Sequence, residues 1–93
     1  MKQITISSPS TNHQELQIGG LLAVFSYGKP TAFICGNEII ANKDYFKYST
    51  TTSRHTNASI PELRSSDPDK LLSNEDYMAA LSTAIIKELA YKI

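Results

Sequence analysis

The densest group of chemically versatile side chains lies between residues 45 and 55. This segment holds three aromatic side chains, two cations and five consecutive hydroxyl residues. Aromatic rings stack on nucleic-acid bases, cations meet phosphates, and hydroxyls at a helix start bind phosphate oxygens. Tyr and Arg are also enriched at protein–protein hot spots. We therefore predict a binding surface formed by Tyr45, Lys47, Tyr48, Thr51, Thr52, Arg54 and His55.

The alternative interpretation of this segment is structural. Tyr45 or Phe46 would then pack in the core, and the hydroxyl run 49–53 would supply the N-cap of a short helix, since Ser and Thr are preferred there. His55 would donate to a backbone carbonyl or cap a turn.

Neither catalysis nor metal binding is predicted. As a base, His55 would need a nucleophile and an orienting acid, and as a ligand it would need two further ligands. His13 and the aspartates are scattered with no recognised spacing. A Cys35–His55 nucleophile pair is conceivable, but Cys35 sits in an apolar strand pattern, where buried cysteine is usually inert packing. We expect no enzyme, no cofactor and no metal.

Length and composition indicate one small globular domain, residues 1–93. The apolar share of 41% is too high for intrinsic disorder, and nine basic residues balance nine acidic ones. The chain therefore lacks the positive field of a general DNA binder and the acidic excess of a DNA mimic. Its apolar runs are too short for a transmembrane helix or a signal-peptide core, and its single cysteine forbids an internal disulfide. We expect a cytoplasmic protein without a membrane partner.

Strand patterns occupy the first half of the chain. Residues 2–7 and 15–18 alternate between apolar and polar side chains, which is typical of half-buried strands. Residues 21–27 and 31–35 are apolar runs on either side of Gly28-Lys29-Pro30, and residues 39–41 follow a Gly-Asn turn. These patterns predict an antiparallel meander of four to five strands.

A C-terminal helix is predicted to cover this sheet. Ser73 precedes Asp76 by three residues, which is the capping-box pattern with Asp in place of Glu or Gln. Apolar residues then recur at helical spacing: Met78, Leu81, Ile85 and Leu89. We expect an α+β fold with a short helix or turn in the middle of the chain. The apolar stripe is wide for one sheet face, and its excess predicts a possible homodimer contact through this helix.

Two stretches of the chain carry a family resemblance. Residues 25–33 contain a tyrosine-glycine-x-proline hairpin followed by alanine, and Tyr48 to His55 read tyrosine-serine-x-threonine-threonine-serine-arginine-histidine. The chain thereby resembles a family of small uncharacterised proteins encoded by phages, plasmids and other mobile elements. The match covers residues 24–56, about a third of the chain. The resemblance implies no particular activity, but small mobile-element proteins without catalytic groups commonly act by binding.

Two functions follow from these observations. The first is a protein-binding inhibitor or regulator of a host protein or ribonucleoprotein complex, for example an anti-CRISPR protein that blocks a bacterial defence complex. The second is a nucleic-acid-binding accessory or regulatory protein that uses residues 43–64, where four basic residues stand against two acidic ones. Affinity that falls steeply with salt would distinguish the second function from the first.

Overall fold

A six-stranded sheet forms the centre of the protein. The computed structural model describes residues 4–46, 49–64 and 66–90. The predicted α+β fold, with a sheet, a short middle helix and a C-terminal helix, is confirmed. In chain order the elements are β1 (Ile4–Ser10), β2 (His13–Ile18), β3 (Leu21–Ser26), β4 (Lys29–Cys35), β5 (Glu38–Asn42), α1 (Thr50–Ser59), a 3₁₀ helix (Pro61–Arg64), β6 (Lys70–Leu72) and α2 (Asn74–Ala90).

The strands lie in the sheet in the order of the sequence. β1 to β5 form the predicted antiparallel meander, and β6 adds a parallel strand beside β5 that the sequence patterns do not predict. A reciprocal contact aligns β6: the Ile39 N–H donates to the Asp69 carboxylate at 2.7 Å, and the Asp69 N–H donates to the Ile39 carbonyl at 2.8 Å. The Asp69 side chain therefore helps to hold the sixth strand beside β5.

Helices cover both faces of the sheet. α2 packs on the face that carries Leu21, Ala23 and Phe33. α1 and the segment that follows it cover the opposite face, where Val24 and Ala32 pack against the apolar side chains of the second half of the chain. This division follows from the strand period of two, which turns successive side chains to opposite faces.

The boundaries of α2 agree with the predicted cap. The helix begins at Asn74, and the Asp76 N–H donates to the Ser73 hydroxyl at 3.4 Å. Among the described residues, no helix combines the length and the apolar character needed to cross a membrane. Residues 91–93 lie outside the described residues.

The buried stripe of α2 is offset from the predicted one. Tyr77, Leu81 and Ala84 are buried, whereas Met78 and Leu89 are 39% and 38% exposed. The cause is the Tyr77 ring, which packs against Phe33 with ring centroids 5.5 Å apart and so turns this side of the helix to the sheet. One flank of α2 therefore presents apolar side chains to solvent.

Candidate functional site

A cleft opens where β3 turns into β4 and where α1 begins. It encloses about 260 Å³ and is lined mostly by apolar atoms. We call it the Tyr27 cleft; its walls are formed by Ser26, Tyr27, Lys29, Tyr45, Ser49 and Thr52.

A strained two-residue turn places Tyr27 at the cleft. Ser26 pairs with Lys29, so only Tyr27 and Gly28 connect the strands, and their φ angles are 55° and 76°. Positive φ at both positions is the mark of a type I′ hairpin turn. The predicted three-residue connection, residues 28–30, is wrong because tyrosine rarely adopts positive φ and gives no signal for such a turn. The Tyr27 N–H donates to the Asn12 carbonyl at 2.8 Å, which holds the turn in place.

Tyr45 forms a second aromatic wall. The Lys29 ammonium lies over its ring, 5.2 Å from the centroid, in a cation–π contact. The loop that carries Tyr45 is anchored at its base, since the Asp44 N–H donates to the Asn42 side chain at 3.0 Å. The Asp44 carboxylate in turn accepts from the Asn74 N–H at 2.9 Å, at the start of α2. The position of the Tyr45 ring is therefore tied to the rest of the fold.

α1 begins inside the predicted hydroxyl run. The Ser49 hydroxyl caps the helix by accepting from the Thr52 N–H at 3.1 Å, as the structural interpretation of the run predicts. The helix then divides the predicted binding residues between two faces. Thr51 and Arg54 are exposed, whereas Thr52 and His55 are buried against the sheet. Lys47 and Tyr48 lie outside the described residues.

Behind the cleft, Ser26 joins the sheet to α1. Its hydroxyl donates to Thr52 Oγ1 at 3.1 Å and lies 2.8 Å from Nδ1 of His55. A hydroxyl has only one proton to donate, and the Ser26 proton points to Thr52. Ser26 is therefore the acceptor in its contact with His55, and the Nδ1–H of His55 is the donor. All three side chains are at most 9% exposed.

His13 continues this polar network on β2. Its ring stacks on His55 with centroids 4.7 Å apart, and its Nε2 lies 2.6 Å from the Ser59 hydroxyl. Ser59 donates to the Glu15 carboxylate, and Ser10 Oγ lies 3.3 Å from Nδ1 of His13. Burial, followed by the nearby His55, lowers the pKa of His13, while Glu15 opposes the shift. The network therefore favours a neutral His13.

Ser26 and His55 have the spacing of a nucleophile and its base, but not the surroundings. Ser26 is 1% exposed, and the group stacked on His55 is another histidine rather than an orienting carboxylate. Cys35 lies at the opposite end of the sheet, where it pairs with Leu21 and Glu38, so the conceivable Cys35–His55 pair does not form. Among the described residues, no group of three or more His, Cys, Asp or Glu side chains is arranged to hold a metal ion.

Sequence reasoning missed the partners of His55. Ser26 is 29 residues away and His13 is 42 residues away, so no local spacing links them. The available signal was a serine at the end of an apolar strand, on the same face as Val24. A polar side chain at such a position needs a buried hydrogen-bond partner.

Most of the chain matches a known protein family. A model of a family of unknown function (DUF8033) matches residues 2–75. The chain belongs to this family. In this DUF8033 protein the match includes all the lining residues of the Tyr27 cleft and the whole polar network, whereas most of α2 lies beyond it. No curated protein and no solved structure matches the chain.

Proposed function

We propose that this DUF8033 protein is a non-enzymatic binding protein whose Tyr27 cleft receives one apolar side chain of a partner protein. The observation that carries the proposal is the cleft itself. Its volume of about 260 Å³ lies below the ~300–1,000 Å³ of typical small-molecule pockets. Its walls are mostly apolar and include two tyrosines. Protein–protein hot spots have this character, with an anchor side chain in a desolvated pocket.

The cleft is held in one shape before a partner arrives. The Tyr27 backbone bonds to Asn12, the Tyr45 loop is anchored through Asp44, and Ser26 and Thr52 bond to each other. A surface that needs no ordering on binding retains more of its contact energy as affinity. Preorganisation therefore supports a binding role for the cleft.

The charges around the cleft favour a protein over a nucleic acid. A single-strand groove follows the backbone with a row of cations. Here the Lys29 ammonium lies over the Tyr45 ring, and Arg54 is exposed on α1. The chain as a whole has a formal net charge of zero. The polar groups around the cleft therefore resemble the polar rim of a protein–protein interface, and the apolar cleft would receive the partner's anchor side chain at its centre.

The identity of the partner follows from the mobile-element resemblance. In that setting the partner would be a host protein or ribonucleoprotein complex in the host cytoplasm, for example a bacterial defence complex such as CRISPR-Cas. This assignment rests on the resemblance of residues 24–56, and the cleft contributes only the mode of binding.

The experiment is affinity capture from a bacterial lysate with the tagged protein and with a Tyr27→Asn variant, with and without nuclease. Asn-Gly is a preferred type I′ dipeptide, so the variant retains the turn while losing the ring. We expect a stoichiometric, nuclease-resistant partner that the variant captures at least about tenfold less well, as for a hot-spot tyrosine.

The matched control is Leu71→Ala, which shortens an exposed apolar side chain on β6, away from the cleft. This variant should capture the partner as well as the wild type does. Capture that disappears with nuclease would transfer the function to nucleic-acid binding by residues 43–64. Equal capture by the wild type and Tyr27→Asn would show that the cleft is not the interface.

A further inference from the structure

β1 lies at one edge of the sheet. Within the described part of the chain, β1 pairs with β2 alone, and all seven of its residues are exposed. Every second residue of an edge strand turns its N–H and C=O groups away from its neighbour. Proteins usually protect such edges with charges, prolines or bulges, yet residues 4–10 contain no charged side chain. Pro9 and the register shift after Ser7 disrupt only the C-terminal end of β1.

Two isoleucines beside this edge are exposed. Ile4 and Ile6 are 50% and 74% exposed. They pair with Ile18 and Leu16, and Leu16 packs against the cluster under α2, so both isoleucines lie on the α2 face of the sheet. Their exposure shows that α2 stops short of covering β1.

The apolar flank of α2 lies on the same side. The last turns of the helix sit at the β2–β3 turn, because the Gly20 N–H donates to the Glu88 carboxylate at 3.1 Å. Ala80 and Thr83 line a groove over β4 and β5, which places Ile85 and Leu89 on the flank nearer β1. We call Ile4, Ile6, Leu16, Ile85 and Leu89 the β1 patch.

We propose that the chain forms a two-fold dimer in which β1 pairs antiparallel with β1 of a second copy and the two β1 patches pack together. Residues 4–7 alternate isoleucine with small hydroxyl residues, so antiparallel self-pairing keeps the isoleucines of both copies on one face. No like charges meet, since β1 carries none and the chain has a formal net charge of zero. The pairing joins the two sheets across the two-fold axis, so that β1 of neither copy keeps an unpaired edge.

A second copy suits this surface better than a different partner does. A different protein would have to supply an edge that matches residues 4–7, whereas a second copy presents the same uncharged alternation of isoleucine and hydroxyl residues. The dimer uses a surface separate from the Tyr27 cleft and does not depend on the function proposed above. It also differs from a dimer formed by α2 alone, which would bury Ile86, 64% exposed on the solvent side of the helix.

The test is sedimentation-equilibrium mass measurement from low to high micromolar concentration. The wild type should approach twice the chain mass of 10.3 kDa. Ile6→Lys, which places a charge on the edge, should weaken dimerisation at least about tenfold. The side chain is already exposed, so circular dichroism should show an unchanged fold. Leu71→Lys is the matched control and should dimerise as the wild type does.

Three results would overturn the proposal. A wild type that stays monomeric at the highest concentration would assign the β1 patch to a different protein or to no partner. A dimer that survives Ile6→Lys but is lost in Ile86→Lys would assign the interface to the outer face of α2. A dimer insensitive to both variants would place the interface elsewhere.

Discussion

Replacing Ser26 with alanine removes the hydroxyl that joins β3 to α1 behind the cleft. The side chain is 1% exposed and bonds to both Thr52 and His55, so no bulk water can take its place. Thr52 keeps its bond from the Ser49 hydroxyl at 3.2 Å. The loss therefore falls mainly on His55, whose Nδ1–H loses its acceptor.

The size of the effect follows from that unpaired donor. Leaving a buried N–H without an acceptor costs about 1–3 kcal/mol, and the missing oxygen also leaves a small void. We expect the free energy of unfolding to fall by about 2 kcal/mol. For a domain of this size that corresponds to a decrease in Tm of roughly 8–16 °C.

Urea unfolding at neutral pH measures the change directly. The midpoint should fall while the denaturant slope stays constant, because the surface exposed on unfolding is nearly the same. Ser7→Ala is the matched control: it is also a serine in a strand, but it is exposed and its bond to Glu15 is 3.4 Å long. That variant should change the free energy of unfolding by less than about 0.5 kcal/mol. Equal midpoints for Ser26→Ala and the wild type would refute the reasoning.

Two further changes in stability are expected. Because burial and His55 lower the pKa of His13 from 6.5, the unfolded chain binds that proton at higher pH than the folded protein does. The free energy of unfolding should therefore be highest above pH 6.5 and decrease as the pH falls below it, and His13→Gln should flatten this dependence in urea titrations. An unchanged slope in the variant would contradict the assignment. The buried Tyr77 hydroxyl has no hydrogen-bond partner among the described residues, so Tyr77→Phe should raise the free energy of unfolding by about 1 kcal/mol. A lower urea midpoint for that variant would show that the hydroxyl is satisfied.

The local parts of the fold were predictable from the sequence. Alternation identified the meander, and the Ser73 cap located the start of α2 within one residue. β6 was missed because three residues carry too little periodicity, and because its partner β5 lies about 30 residues earlier in the chain. The exposure of Met78 and Leu89 was missed for a related reason, since the packing of Tyr77 on Phe33 decides which side of the helix is buried.

The candidate site was predictable only where a single segment forms it. Of the predicted binding residues, Tyr45 and Thr52 line the Tyr27 cleft, and the Ser49 cap was among the alternatives. Tyr27 and Lys29 come from a turn whose positive φ at tyrosine runs against sequence preference. The stack of His13 on His55 joins two elements that only the folded sheet brings together.

Under the proposed function, different side chains of the Tyr27 cleft serve stability and binding. Ser26 and Thr52 turn inward, where their hydroxyls bond to each other, and their loss should weaken the fold more than the interface. Tyr27 is 54% exposed, and its ring can be removed without breaking the turn, so its loss should weaken the interface more than the fold. In the proposed function, Tyr27 and Tyr45 rather than the buried hydroxyls contact the partner, because Ser26 and Thr52 face each other behind the cleft.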